Sequence, residues 1–132
     1  MRLLVDTNVF LELLLAQSRA DEARKLLENS EGHDLFVSDY ALHSIGLLLL
    51  RRRKTDVFRQ FLSDVFVKAG ATMLSLTAGD LDAVIDAAAD FNLDFDDAYQ
   101  YTTAEKHGLT IVSFDSDFDR TGRGRKSPTQ IP

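Results

Sequence analysis

The sequence predicts a three-layer α/β/α domain built on a short, mostly parallel sheet of four to five strands. Three observations carry that expectation. Strand-like runs at 2–5, 34–38, 72–76 and 109–114 are separated by helix-compatible stretches, which calls for crossover connections and parallel strands covered on both faces. The run from Leu109 to Phe114 is continuously apolar and β-branched, as a fully buried strand should be. No internal repeat, low-complexity tract or Pro/Gly/Ser-rich linker interrupts the 132 residues, so one domain spanning 1–132 is expected.

The elements follow in order. Arg2-Leu-Leu-Val5 is a first strand, and Thr7 to about Ala16 is apolar and helix-compatible. Ser18 with Asp21 resembles a capping box opening a helix from Arg19 to about Asn29, whose Ala20, Ala23, Leu26 and Leu27 keep helical spacing. Asp34–Ser38 is a second strand. Helices are expected over 39–53 and 55–69, with Gly70 as a stop. Thr72–Leu76 is a third strand, and Thr77 with Asp80 reads as a capping box for a helix reaching Phe91. A further helix runs from about Asp94 to His107, closed by Gly108. After the fourth strand, Thr129-Gln130-Ile131 reads as a short fifth.

Composition narrows the chemistry. With no cysteine, thiolate catalysis, zinc–thiolate sites and disulfides are all excluded. No apolar run approaches the ~20 residues of a membrane span, and the N-terminus enters a strand-like pattern directly. A soluble cytoplasmic protein without a membrane partner is the expectation. The formal charge is −6, from 21 acidic and 15 basic residues, a balance that argues against general nucleic-acid binding. The distribution of the acids argues otherwise.

Sites in an open parallel sheet form beyond the carboxyl ends of the strands. Asp6-Thr7-Asn8 follows the first strand, Ser38-Asp39 the second and Asp115-Ser116-Asp117 the fourth, while Asp94, Asp96 and Asp97 open the helix before it. Acids from distant segments therefore converge on one edge. Carboxylates brought so close repel unless a cation neutralises them. Oxygen donors without sulfur suit Mg²⁺ or Mn²⁺, and such ions can activate water and offset charge on a phosphodiester's leaving oxygen. Asp97 is the favoured ligand of its group, with Asp94 as a cap or supporting residue and Asp96 solvated. Each acid also has a plainer role: Asp6 and Asp94 suit helix N-caps, and Asp115 and Asp117 suit a turn. Their common location favours the metal site.

The stretches Leu-Leu-Val-Asp6-Thr7-Asn8-Val-Phe, Asp97-Ala98 and Ile-Val-Ser-Phe-Asp115-Ser-Asp117-Phe118, in this order and spacing, resemble PIN domains. Among these, the small prokaryotic VapC-type toxins of toxin–antitoxin pairs match the total length. The resemblance implies a Mg²⁺- or Mn²⁺-dependent endoribonuclease. By motif, Asp6, Asp97 and Asp115 would hold the metal, Asp117 would assist, and Asn8 and Ser38 would support them. It also implies an RNA substrate, an antitoxin protein as partner and a homodimer, for which Leu47 and Leu50 are surplus to one core-facing helix side. One departure stands out. The family carries a glutamate six residues after the serine, where this chain has Ser44, and no glutamate occurs between Glu31 and Glu105. Hence the alternative of a catalytically weakened PIN module that binds RNA or a partner protein. His43 and Asp39 are the nearby residues that could compensate.

Eight of the 15 basic residues fall in two runs, Arg51-Arg52-Arg53-Lys54 and Arg120, Arg123, Arg125, Lys126. The second, with Gly122 and Gly124, reads either as a flexible segment holding RNA backbone or as a solvated tail. The first reads chiefly as a solvated helix end, where cations suit the dipole. A haloacid-dehalogenase-type phosphatase would need an acid where Asn8 stands. A phosphoacceptor receiver would need a lysine where none occurs between Lys106 and Lys126.

Overall fold

Four short strands, β1 (Arg2–Val5), β2 (Asp34–Ser38), β3 (Thr72–Leu74) and β4 (Thr110–Val112), form the centre of the computed structural model, which describes residues 1–132. Every pairing is parallel and the order is β3-β2-β1-β4. Leu3 lies opposite Leu35 on one side and Thr110 on the other, so β1 is an inner strand, buried from Leu3 to Val5.

Alternation along the strands assigns the layers, because successive side chains leave a strand on opposite faces. Leu3, Val5, Leu35 and Val37 share one core with Val9 and Phe10 of α1 (Thr7–Leu14), Ala23 and Leu26 of α2 (Ala20–Glu28), and Ile45 and Leu49 of α3 (Asp39–Arg51). The same core takes Phe61 of α4 (Thr55–Leu62). On the opposite face, Leu4, Leu109 and Ile111 pack with Phe118 and with Ala104 of α6 (Phe95–His107). α5 (Leu81–Phe91) joins α6 through Val84, Ala87, Ala98 and Tyr99.

Most expected elements are present, and the differences have local causes. Ser18 does not cap α2. The helix starts at Ala20, and the preceding Arg19 N–H instead donates to Glu12 Oε2 at 3.0 Å. The expected fifth strand is absent. Pro128–Gln130 is a 3₁₀ turn with proline in its first turn and a Ser127–Gln130 capping box, and the sheet gains only a bridge between Val112 and Lys126. The helix expected over 55–69 widens after Leu62 into a π-helical stretch, Ser63–Lys68. Thr77 and Asp80 do form a reciprocal capping box, although the first turn there is 3₁₀.

Candidate active site

The carboxyl edge of the sheet is assembled by helix capping. Asp6 ends β1 and caps α1, its Oδ1 accepting the Thr7 N–H at 2.8 Å. Ser38, fully buried at the end of β2, caps α3 by accepting the Ala41 N–H at 3.0 Å. Asp94 caps α6 and accepts the Asp97 N–H at 2.9 Å, while Asp115 accepts the Asp117 N–H at 2.9 Å. Capping serves as the positioning device here: the oxygens that satisfy orphan N–H groups also fix where each following acid points.

Carboxylate oxygens of Asp97, Asp115 and Asp117 lie within 4.8 Å of one another. Asp97 is buried, and its carboxyl is pushed up to about 8 by desolvation, by a hydrogen bond with Asp115 and by the charges of Asp115, Asp94 and Asp6. A carboxyl so placed stays protonated near neutral pH unless a cation offsets its neighbours. The donors are all hard oxygens, so the residues present fit Mg²⁺ or Mn²⁺. Asp117 is partly neutralised by Arg120, whose guanidinium also reaches the Asn92 carbonyl.

Asp6 stands behind this cluster. Its Oδ1 also accepts from Gln100 Nε2 at 3.0 Å, and its Oδ2 accepts from Ser113 Oγ at 2.7 Å. Burial raises its pKa, and the hydrogen bonds from Gln100, Ser113 and Thr7 oppose that rise. Ser113 is a hub: it donates to Asp6 and accepts from the Asp115 N–H at 2.9 Å and from Asn8 Nδ2 at 3.1 Å. Asn8 Oδ1 accepts the Phe114 N–H at 3.2 Å, which locks α1 to the end of β4.

Ser113 and Gln100 were not singled out in the sequence. Two local signals exist: Ser113 is the one residue in the run 109–114 that is neither apolar nor β-branched, and Gln100 follows Asp97 at helical i+3 spacing.

At the position of the missing glutamate, the partly buried Ser44 lies beside the Tyr40 hydroxyl, which itself donates to Asp96. Asp96 is therefore engaged, not simply solvated. Burial and Asp96 together push the Tyr40 phenol up to about 12. Asp39 accepts from the Tyr99 hydroxyl at 2.8 Å and from the Tyr40 N–H at 2.8 Å, and His43 is exposed. The C-terminal basic run is not a flexible arm. Arg120 binds Asp117, Arg123 binds Glu105 and the Leu109 carbonyl, and Arg125 binds Asp119 and the Ser113 carbonyl.

The family model for the PIN domain matches residues 3–124. The chain belongs to the PIN domain family. The fold agrees: this PIN domain superposes on a toxin–antitoxin complex from Klebsiella pneumoniae with a TM-score of 0.73 and 20% identity, covering 97% of this chain and 98% of that one. For Mycobacterium tuberculosis VapC20, described as a sarcin-ricin loop cleaving toxin, the values are 0.76 and 20%, with 92% and 95% covered. FitAcB from Neisseria gonorrhoeae gives 0.72 and 23%, with 98% and 99% covered. No curated protein sequence matches the chain. No helix of the PIN domain is long and apolar enough to cross a membrane.

Proposed function

We propose that residues 1–132 act as one Mg²⁺- or Mn²⁺-dependent endoribonuclease domain, the toxin of a toxin–antitoxin pair acting in the cytoplasm. The observation that carries this reading is the cluster of Asp97, Asp115 and Asp117, three carboxylates gathered within 4.8 Å in a chain of the PIN domain family.

In this reading Asp97, Asp115 and Asp117 hold the cation, with Asp6 completing the negative charge from behind. A bound divalent ion supplies Lewis-acid polarisation of the phosphodiester and lowers the pKa of water. The protein's own part is preorganisation. Ser113 fixes the Asp6 carboxylate and the Asp115 backbone through one hydroxyl, Asn8 holds the end of β4, and the Asp94 and Ser38 caps set the starts of α6 and α3.

The partner assignments rest on surfaces. An apolar groove between α1, α2 and α4, with Leu13, Leu14, Leu27 and Val57 on its walls, suits the apolar face of an antitoxin helix. Leu47 and Leu50, 45% and 54% exposed on α3, support a homodimer contact.

The test is cleavage of RNA with Mg²⁺ or Mn²⁺ by the purified protein and its loss in Asp115→Asn. Wild-type protein that binds no divalent ion and leaves RNA intact overturns the reading. Ser44 supports a second reading, a weakened module that binds RNA or a protein partner, because the position holds a neutral hydroxyl turned to Tyr40. Robust cleavage by the wild type removes that alternative.

A further inference from the structure

We infer that the turn Arg51-Arg52-Arg53-Lys54 is a docking site for the phosphate backbone of RNA, at the far end of α3 from the acidic cluster. The inference rests on the nuclease reading and adds to it where a longer substrate lies.

The first observation is charge left free. All four side chains are exposed, and none lies within ion-pair distance of a carboxylate, whereas Arg120, Arg123 and Arg125 of the other basic run are all paired. Exposed Arg59 adds a fifth unpaired cation nearby, against one acid, Asp56, in the segment 51–60. One cation at a helix end suits the dipole, but four adjacent like charges also repel one another.

The second observation is the backbone. α3 closes with the Lys54 N–H donating to the Leu49 carbonyl at 2.8 Å and the Arg53 N–H donating to the Leu50 carbonyl at 3.0 Å. That double closure requires a left-handed residue at Arg53, whose φ is 56°. Glycine is the residue that adopts this conformation without a Cβ penalty. The same chain uses Gly108 at the end of α6, Asn92 at the end of α5 and, in the same double closure, Ala16 at the end of α1. Arg53 therefore holds its exposed side chain among three other cations at a small conformational cost.

The third observation is placement. α3 starts at the sheet edge beside the acids and runs 13 residues, about 20 Å. At ~3.4 Å per nucleotide of stacked strand, the two ends are bridged by about six nucleotides. In a protein of net charge −6, this turn gathers four exposed, unpaired cations, and phosphate contacts position a strand without reading its bases.

Arg53→Gly separates docking from folding, since the two effects have opposite signs. Relief of the left-handed strain raises the melting temperature by about 2–5 °C. Loss of one phosphate contact weakens binding of a fluorescein-labelled 12-nucleotide single-stranded RNA about fivefold in EDTA and low salt. The slope of log affinity against log salt falls by about 0.7. Arg51→Ala/Arg52→Ala, which keeps good helix formers at the end of α3, weakens binding further.

Arg53→Gly binding the 12-mer with wild-type affinity and salt slope overturns the proposal while leaving cleavage, and so the nuclease reading, standing. Wild type that neither binds nor cleaves RNA removes both. Competition by polyglutamate at the same charge concentration as RNA, or a changed sedimentation coefficient in Arg53→Gly with RNA affinity intact, assigns the turn to a protein contact and also overturns it.

Discussion

Asp97→Asn tests the electrostatics of the cluster directly. In the absence of a cation the Asp97 carboxyl sits at about 8 rather than 3.8, chiefly through burial and the adjoining Asp115. At 1.36 kcal/mol per tenfold, that rise corresponds to ~6 kcal/mol. Asp115 and Asp117 are only half-buried, and solvent screening at the open side leaves about 2–3 kcal/mol acting on stability. The sign follows from proton linkage. Below 3.8 both folded and unfolded chains hold the proton, and the stability is fully present. Between 3.8 and about 8 the unfolded chain releases a proton that the folded chain retains, so stability falls as pH rises. Asparagine cannot ionise and can donate to Asp115. The variant, freed of cations with EDTA, therefore melts about 6–10 °C above wild type at pH 8, and the difference closes towards pH 4. Adding Mn²⁺ stabilises the wild type and leaves the variant unmoved. Circular dichroism melts between pH 4 and 8, with and without Mn²⁺, read both effects. A wild type whose melting temperature is flat across this range and unresponsive to Mn²⁺, together with a variant no more stable at pH 8, would refute the reasoning.

Ser113→Ala removes one donor and two acceptor contacts at once, leaving Asp6 Oδ2 and the Asp115 N–H without partners; urea unfolding should show a loss of about 2–3 kcal/mol, and calorimetry a weaker cation. Asp94→Ala deletes the α6 cap, for an expected loss of about 1 kcal/mol in the same unfolding assay. Ser44→Glu restores a carboxylate at the α3–α6 seam and should raise both cation affinity and RNA cleavage; unchanged values for both would show that the seam lies outside the site. The Tyr40 phenol, held near 12 by burial and Asp96, should stay protonated well above pH 10. Ultraviolet titration against Tyr40→Phe isolates it, and its contribution to stability is present below pH 10 and lost as pH approaches 12.

Much of the site was legible because parallel sheets expose their strand ends. Once β1, β2 and β4 were placed from short apolar runs, Asp6, Ser38 and Asp115 had to meet at one edge, whatever the packing details. The helix starting at Asp94 was equally readable, since its cap and Gly108 bracket it. What stayed hidden depends on side chains meeting across the fold. No local pattern distinguishes Ser113, which joins Asp6, Asn8 and Asp115, or Gln100, which reaches Asp6 from α6. Ser18 is not the cap because α2 starts one residue late, at Ala20, with the Ala20 N–H on the Gln17 carbonyl and the Arg19 N–H on Glu12. Thr129–Ile131 failed as a strand because proline and a capping box close a 3₁₀ turn first.

The sequence by itself determined the layer order, the parallel sheet and the edge on which the acids gather, because hydrophobic period and strand-end position are local properties. Tertiary structure decided which of the gathered groups act together. It set Asp97, Asp115 and Asp117 side by side and placed Asp6 behind them in hydrogen bonds. It also tied Arg120, Arg123 and Arg125 of one basic run into ion pairs and left the other run free around a left-handed arginine. Charge counts along a chain are fixed by composition; which charges neutralise one another is fixed only by distance, and distance belongs to the fold.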